Sequence, residues 1–347
     1  MAVRIRLAEQ RPLAFAVSPL AELVAALHVL DDPSHHPAAG WATTVHDRLP
    51  PALAAQVPGL SWLWRAVRPG FLLADRAGEG LLADELGRLR ALDPQRFAAA
   101  AARPLLGRDT RAEVQQDSRL LAHARARGTA VVSAVELLLT DPAALRDRLC
   151  DFLDGCWAAF FAADWQRLHA SVADEAARRG DLAETAGPRA ALAQLPATTV
   201  VSETMITIDK VPNAVVDATA SPLLLAPSVL GAPHVTVQLD AAWPPGVQYP
   251  LVTGGQPVAL AVVRRRLAAL ADPQRLRLCR SLLREARSTQ ELAALHGLTP
   301  PTVSRHLRAL RDAELVTTDR QGHFVRYRLD AVAVRSLGPD LLDALLR

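Results

Sequence analysis

The sequence predicts a mixed α+β fold in three parts, and three observations support this prediction. Residues 1–196 carry apolar residues mostly at helical spacing, which predicts a mainly helical domain. Residues 197–257 hold eight of the chain's 25 prolines and few charges, which predicts a small β-rich subdomain. Residues 258–347 return to helical patterns and end in two strand-like runs.

Charge and cysteine content narrow the functional classes. The 347-residue chain is long enough for two or three domains, and its net charge of +3 is unevenly spread. Residues 260–347 carry 16 arginines and 9 acidic residues, whereas the rest of the chain is slightly acidic. A basic tail on an acidic body predicts a polyanionic partner for the tail. Three scattered cysteines favour a reducing cytoplasm, and frequent prolines in the uncharged stretches argue against a membrane span.

Local signals mark several helices in residues 1–196. Ser18 and Pro19 form a helix start, and a second start lies at Thr140–Pro142. Aromatic residues then follow at helical spacing, which favours a core face and leaves an effector pocket as the alternative. That stripe comprises Trp157, Phe160, Phe161 and Trp165. Cys150 and Cys156 lie on different faces of their helix, so we expect two core thiols rather than a metal-binding pair.

Histidines near the first predicted helix are candidate metal ligands. His28, His35, His36 and His46 lie close in sequence to two aspartates, and imidazole and carboxylate groups both bind metals. Their spacing matches no familiar metal site, and loop histidines are common. We therefore expect no metal ion and no cofactor.

Residues 197–257 contain short runs typical of strands. Alternating apolar and polar residues predict a half-buried strand at Val235–Leu239, and β-branched residues predict another at Thr198–Ile208. Asn213–Val216 and Leu223–Leu225 are shorter candidates.

The last 90 residues predict helices that are followed by a β-hairpin. The first helix is predicted at Val258–Leu270, and Asp272 with Pro273 begins the next. Ser288 and Glu291 have the spacing of a capping box, so a third helix begins there and ends at Gly297. Thr299 and Pro300 then begin a fourth helix, and strands at Leu315–Thr317 and Phe324–Leu329 flank a turn.

Two short helices joined by a tight turn, the second rich in arginine, follow the helix-turn-helix plan, and the hairpin supplies a wing. Val303, Leu307 and Leu310 define the inward face of the second helix, so its other face can enter a DNA major groove. The candidate DNA-binding residues on this helix and its N-terminal turn are Thr299, Pro301, Thr302, Ser304, Arg305, His306, Arg308 and Arg311. The candidates on the wing are Arg320, His323 and Arg326.

These motifs resemble the ArsR (arsenic-repressor) family of winged-helix regulators. Leu270–Leu278 is similar to the opening of that family's second helix, Leu298–Leu307 to its recognition helix and Leu310–Val316 to the exit from it. The segments Ser18–Val24 and His35–Pro37 resemble, more distantly, an N-terminal extension found in some bacterial ArsR-like regulators.

Four positions depart from the family's pattern. Ser288 and Gln290 stand where its thiophilic-metal sensors carry a Cys-x-Cys pair, so that site is absent. Pro300 replaces a frequent Gln, and Glu314 replaces the usual Gly at the helix exit.

The resemblance implies a cytoplasmic, homodimeric transcriptional regulator, in the family's manner a repressor, that reads an inverted repeat in double-stranded DNA. Residues 1–257 would then sense a small-molecule or protein effector, or serve in assembly. The sequence has no phosphate-binding loop, nucleophile elbow or zinc-protease motif, so we do not expect an enzyme. Two alternatives stay open: a ligand-processing enzyme domain fused to a DNA-binding tail, and a scaffold that binds another protein.

Overall fold

The structure is a computed structural model that divides the chain into two compact units, residues 1–254 and 255–346. It describes residues 2–8, 13–46, 48–65, 67–106, 118–193, 195, 199–202, 204–209, 213–251, 258–321 and 324–346. None of the helices in these ranges has the length and apolar content that crossing a bilayer requires.

The N-terminal unit combines a helical layer with two β-sheets. The helices are α1 (Pro19–Asp31), α2 (Ala39–His46), α3 (Pro51–Ala54), α4 (Val57–Leu60), α5 (Leu82–Arg90), α6 (Pro94–Leu106), α7 (Ser118–Arg125), α8 (Thr129–Thr140), α9 (Pro142–Cys156), α10 (Ala162–Ala186) and α11 (Pro188–Ala193). Short 3-10 turns lie at Pro33–His35, Ser61–Leu63 and Gly70–Leu72, and a π-helical turn at Trp157–Phe161 joins α9 to α10.

The strands come from both ends of the same unit. They are β1 (Ala2–Leu7), β2 (Leu13–Val17), β3 (Gly78–Glu79), β4 (Thr199–Val201), β5 (Met205–Asp209), β6 (Ala214–Ala218), β7 (Leu223–Ser228), β8 (Thr236–Val237) and β9 (Gly246–Pro250). One sheet has the order β4-β5-β1-β6 and the other β3-β2-β7-β9-β8. In the first sheet β1 is antiparallel to β5 and parallel to β6.

This pairing corrects the boundary that the sequence suggested at residue 196. The segment before Ser18 is not helical, since β1 pairs with β5 and β6, and β2 pairs with β7. The predicted helical domain and the predicted β-rich subdomain therefore share both sheets within one compact unit. Backbone hydrogen bonds join β1 and β2 to strands about 200 residues later in the chain, so both ends of this unit belong to the same sheets.

The two largest apolar cores in the described part of the N-terminal unit are one among the helices and one at the sheets. The larger is helical and includes Leu27, Trp62, Phe97 and Phe152, each no more than 2% exposed. The smaller lies between the sheets, where Ile5, Ile206, Leu225 and Tyr249 are fully buried. Burying side chains of this size removes about 1.5–3 kcal/mol of unfavourable hydration each, which makes these cores the main source of stability.

A buried polar network fastens α1 to the end of β7. The carboxylate of Glu22, 1% exposed, accepts hydrogen bonds from the Ser228 hydroxyl at 2.5 Å and from the backbone N–H groups of Val229 at 2.9 Å and Leu230 at 2.7 Å. Burial raises the pKa of Glu22, and these hydrogen bonds oppose that rise. Buried carboxylates persist when they are hydrogen-bonded in this way, so the network fixes the position of the 228–230 backbone against α1.

The C-terminal unit has the predicted helices and hairpin. Its elements are α12 (Leu260–Leu270), α13 (Pro273–Arg284), β10 (Arg287–Ser288), α14 (Thr289–His296), α15 (Pro300–Asp312), β11 (Val316–Gln321), β12 (Phe324–Leu329), α16 (Ala331–Arg335) and α17 (Leu337–Leu346). The sheet order is β10-β12-β11, with antiparallel pairs. The fold class predicted from sequence, α+β with a C-terminal winged helix-turn-helix, is confirmed.

Most predicted helix starts are confirmed at the level of single hydrogen bonds. The hydroxyl of Ser18 accepts from the N–H of Ala21, and the Asp141 carboxylate from that of Ala144. Asp272 accepts from the N–H groups of Gln274 and Arg275. The strand predictions agree in part: Leu223–Leu225 lies in β7, and Phe324–Leu329 is β12. The run 198–208, by contrast, contains both β4 and β5, and 235–239 contains only the two-residue β8.

Candidate nucleic-acid interface

The helix-turn-helix is built from local signals in α14 and α15. The predicted capping box at the start of α14 is complete, with the Ser288 hydroxyl accepting from Glu291 N–H at 3.3 Å and the Glu291 carboxylate accepting from Ser288 N–H at 2.6 Å. Gly297 ends α14 with φ of 62°, a left-handed conformation that glycine adopts without steric cost. The chain then turns into α15, where Pro300 occupies the first helical position.

The two faces of α15 differ as the sequence predicts. Val303, Leu307 and Leu310 are fully buried in the core of the C-terminal unit. The opposite face is exposed and carries Pro301, Ser304, Arg305, Arg308 and Arg311. Within the described ranges, no acidic side chain pairs with any of these three arginines, so their guanidinium groups are available to an external anion.

The remaining predicted residues of this helix occupy its edges. The hydroxyls of Thr299 and Thr302 are 3.0 Å apart, so each turns toward the other at the helix start. His306 is half-buried and lies near Asp272, the N-cap of α13. Backbone hydrogen bonds from Arg275 and Gln274 lower the pKa of the Asp272 carboxyl, and the nearby His306 adds to this effect.

The wing is present, and one of its predicted DNA contacts is engaged within the fold. Strands β11 and β12 pair from Val316–Leu329 to Gln321–Phe324. Arg326 donates to the Ala286 carbonyl at 3.1 Å and forms an ion pair with Glu291 at 3.4 Å. It therefore stabilises the junction between the wing and α14. Arg320 lies in β11, but its side chain and all of His323 lie outside the described parts of the chain.

Two of the three consecutive arginines in α12 pair inside the C-terminal unit. Arg265 lies 2.9 Å from the carboxylate of Glu314, and Arg266 lies 3.2 Å from that of Asp340. Glu314, which replaces the glycine usual in the family, has φ of 56° at the exit from α15. Because Arg265 and Arg266 are paired, they are less available to an external anion than the arginines of α15.

The positions that would hold a thiolate pair have another role. Ser288 caps α14, and its neighbour Gln290 lies in the first turn of that helix. Cys279 is 6% exposed, and burial raises the pKa of its thiol to about 11. Burial also raises the pKa values of Cys150 and Cys156 to about 12, which agrees with the expected core thiols.

The aromatic stripe lies in and against the helical core of the N-terminal unit, which favours the core-face interpretation. Phe160 and Phe161 are at most 3% exposed, and both belong to the helical core of the N-terminal unit. Trp157 and Trp165 are half-buried against the same core, with ring centroids 6.4 Å apart. Aromatic residues at helical spacing more often form a core face than a ligand pocket, and the packing of this stripe agrees with that.

A cavity of about 250 Å³ lies elsewhere in the N-terminal unit, and no local sequence pattern predicts it. Its apolar wall includes Phe71 and Trp243, and its polar wall includes Asp75, Glu85 and Arg88. The Arg88 guanidinium donates two hydrogen bonds to Asp75, at 3.0 and 2.8 Å.

The carboxylate of Glu85 is the unusual polar group of this cavity. It accepts a hydrogen bond from the N–H of Leu20 at 2.8 Å. Burial raises the pKa of Glu85 to about 7, against the lowering effect of hydrogen bonds from Ser18 and Leu20. Apolar walls with a few placed polar groups are typical of small-molecule sites.

The structure brings together only some of the histidines singled out in the sequence. His28 and His36 lie beside each other, and the third member of the cluster is His234 rather than His46. The side chain of His35 lies outside the described residues. No local sequence pattern points to His234, since it is about 200 residues away from the other two.

Two family models match the chain. One, described as a family of unknown function (DUF5937), matches residues 1–255. The other, described as bacterial regulatory protein, arsR family, matches residues 272–318. The end of the first match agrees with the division between the two compact units.

Similar curated proteins align with about a fifth of this chain. KmtR of Mycobacterium tuberculosis, a transcriptional regulator, is 44% identical over 68 residues, which are 20% of this chain and 52% of that protein. CmtR of Mycobacterium bovis is also a transcriptional regulator. It is 45% identical over 71 residues, which are 20% of this chain and 60% of that protein. A probable mercury resistance operon repressor of Streptomyces lividans is 38% identical over 73 residues, 21% of this chain and 58% of that one. The chain thus spans between half and two thirds of these relatives.

Solved structures match the same region. An ArsR-like regulator from Rhodococcus has a TM-score of 0.23 and 27% identity, covering 23% of this chain and 76% of its own. A homodimeric winged helix-turn-helix domain from Mycobacterium bovis has a TM-score of 0.22 and 32% identity. The match covers 22% of this chain and 72% of that domain's chain. From the matched models, the chain belongs to the DUF5937 family and carries an ArsR-family winged helix-turn-helix domain at its C-terminal end.

Proposed function

We propose that this protein is a cytoplasmic transcriptional regulator that binds double-stranded DNA through the outer face of α15. The observation that carries the proposal is the set of exposed, unpaired arginines on that face, Arg305, Arg308 and Arg311, with Ser304 among them. Arginine reads guanine through two parallel hydrogen bonds in the major groove, and a serine hydroxyl bonds to bases or phosphates. Arg320 and His323 extend the proposed contact to phosphates beside the groove.

We further propose that the protein acts as a homodimer on an inverted repeat. One recognition helix reads only a few base pairs, and two-fold pairing places two such helices about one DNA turn apart. Apolar side chains on α12 and α17 support this proposal, since Leu267, Leu342 and Leu345 are 40%, 55% and 63% exposed in the single chain. A second copy that covers them would remove this apolar surface from water.

The effector, in this proposal, binds to the N-terminal unit. The cavity beside Glu85 and Trp243 supports a small organic ligand, because it offers both charged and aromatic walls. A thiophilic metal at the winged helix is disfavoured because Ser288 and Gln290 cannot supply thiolates. Repression is the expected direction of control, in line with the repressor named among the similar proteins.

The test is selection of bound duplexes from a genomic DNA library by the full-length protein, followed by mapping of the enriched sites. We expect a short inverted repeat whose half-site centres are about 10 base pairs apart. Failure to retain any duplex at low salt would overturn the proposal. Incubation with a metabolite pool separates two alternatives: turnover would support the fused enzyme domain, and stoichiometric binding would support the sensor. Capture of a protein partner in a pull-down from lysate would support the scaffold.

A further inference from the structure

Three histidines from distant parts of the chain lie together in the N-terminal unit. His28 is in the last turn of α1, His36 follows the 3-10 turn at Pro33–His35, and His234 follows β7. Their ring centroids are 4.9, 5.0 and 5.3 Å apart. One ring nitrogen from each lies within 4.8 Å of those of the other two, and both His28 and His36 are buried.

A hydrogen bond fixes the proton of one of these rings. The Nδ1 atom of His36 lies 2.7 Å from the carbonyl oxygen of Ala232. Because a carbonyl oxygen only accepts, Nδ1 carries the proton, and in the neutral ring the lone pair is then on Nε2. Metal-binding histidines commonly donate their second ring N–H to a backbone carbonyl in this way, which fixes the ring orientation and raises its basicity.

The backbone around the cluster is held by an independent set of contacts. Glu22, on the same helix as His28, accepts hydrogen bonds from Ser228, Val229 and Leu230, a few residues before Ala232 and His234. The segment that supplies the third histidine is therefore fixed against α1 without help from the histidines. A site whose backbone is already in place needs little rearrangement to bind an ion.

From this geometry we infer that His28, His36 and His234 bind one divalent transition-metal ion, with zinc as the ion that their nitrogen donors favour. In a tetrahedral site with Zn–N bonds of about 2.0–2.1 Å, ligand nitrogens lie roughly 3.3 Å apart. Nitrogens within 4.8 Å of one another reach that arrangement when each ring moves by less than about 1 Å. Three imidazoles suit zinc and neighbouring ions of borderline softness, whereas magnesium and calcium prefer oxygen.

The fourth position of the ion is open to water or an exogenous ligand, as in other zinc sites with three protein ligands. The bound ion would join α1, the turn that follows it and the segment after β7. These segments are far apart in sequence, so ion binding would stabilise the folded N-terminal unit. The inference is independent of the proposed DNA binding.

The test uses metal-stripped full-length protein titrated with Zn²⁺ alone against a chromophoric chelator. We expect one equivalent per chain, with a dissociation constant on the order of 1 µM or tighter. His28→Ala, His36→Ala and His234→Ala should each weaken binding by at least about 100-fold. His46→Ala is the matched control, because His46 is exposed on α2 and should leave the affinity unchanged.

A second measurement keeps the test decisive if a variant fails to fold, which far-UV circular dichroism would reveal. Co²⁺ added to the parent should give the visible bands of a tetrahedral nitrogen site without a thiolate charge-transfer band, since no cysteine is among the three proposed ligands. Zn²⁺ should also raise the Tm of the parent by a few degrees. A parent that binds neither ion, shows a thiolate band, or keeps its affinity after all three substitutions would overturn the inference.

Discussion

The carboxylate of Glu314 lies 2.9 Å from the guanidinium of Arg265, although the backbone of Glu314 has a left-handed φ of 56°. This side chain thus links the exit of α15 to α12 at a position where the family usually has glycine. An exposed ion pair of this kind contributes less than about 1 kcal/mol, whereas the left-handed conformation costs a non-glycine residue about 1–2 kcal/mol.

Substitution at this position separates the two effects. Glu314→Ala loses the ion pair and keeps the backbone strain, whereas Glu314→Gly loses the ion pair and relieves the strain. We expect Glu314→Gly to be about 1 kcal/mol more stable than Glu314→Ala in urea unfolding of the full chain. Equal stability of the two variants would mean that the exit of α15 does not impose a left-handed conformation.

The buried carboxyl of Glu85 should make stability depend on pH. Its pKa is about 7 in the folded protein and about 4.5 when unfolded, so the folded state holds the proton more tightly. The stabilisation is complete below about pH 4.5 and is lost as the pH rises through 7, a change on the order of 3 kcal/mol. Glu85→Gln should flatten this dependence.

The measurement is the free energy of unfolding of the parent and of Glu85→Gln at pH 5 and pH 8. The expected result is that the variant changes less between the two pH values than the parent. Glu79→Gln is the control, because Glu79 is 65% exposed and should behave like the parent. An identical pH response in parent and Glu85→Gln would contradict the raised pKa.

The recognition face should respond to loss of a single arginine. Arg305→Ala should weaken binding to the selected DNA site by about 1–3 kcal/mol, since a bidentate contact to guanine would be lost. Arg76→Ala removes the same charge from an exposed position in the N-terminal unit and should leave the affinity unchanged. Electrophoretic mobility shifts at two salt concentrations measure both variants. Equal affinities for the two would place the DNA-reading surface away from Arg305.

The exposed leucines of α17 should govern dimerisation. The double substitution Leu342→Glu and Leu345→Glu would bury charge in the proposed interface. We therefore expect this variant to be a monomer at micromolar concentration by sedimentation velocity. Leu81→Glu is the control, since Leu81 is 69% exposed in the N-terminal unit and should leave the dimer intact. A parent that sediments as a monomer with and without DNA would contradict the proposed assembly.

The success of the sequence predictions follows the range of the interactions involved. Helix starts at Ser18, Asp141 and Ser288 are decided by hydrogen bonds over three residues, so they were predictable from composition and spacing. The alternation of Val3, Ile5 and Leu7 with Arg4 and Arg6 is typical of a half-buried strand, so β1 itself was predictable. Its pairing was not, because its partners lie about 200 residues away. Register between distant strands is decided by burial in the folded chain rather than by local propensity.

The candidate sites divide in the same way. The outer face of α15 could be predicted, because three leucine and valine positions define the buried face of a single helix. The histidine cluster and the cavity could not, since His234 and Trp243 reach them only when the segment after β7 packs against the helices near the start of the chain. His28 and His36 can be singled out in the sequence, but their spacing alone points to no metal site.

Val3 pairs with Ala214 and Leu13 with Leu223, so β1 and β2 can pair with these strands only late in synthesis of the chain. A ribosome that has made only the first 200 residues has released β1 and β2 without their partners β5, β6 and β7. Unpaired strand edges of this kind promote association between chains, and closing so long a loop is slow. The contacts of the helix-turn-helix are local, so it faces no such delay once it emerges from the ribosome. The C-terminal end of the chain should therefore fold promptly although it is made last.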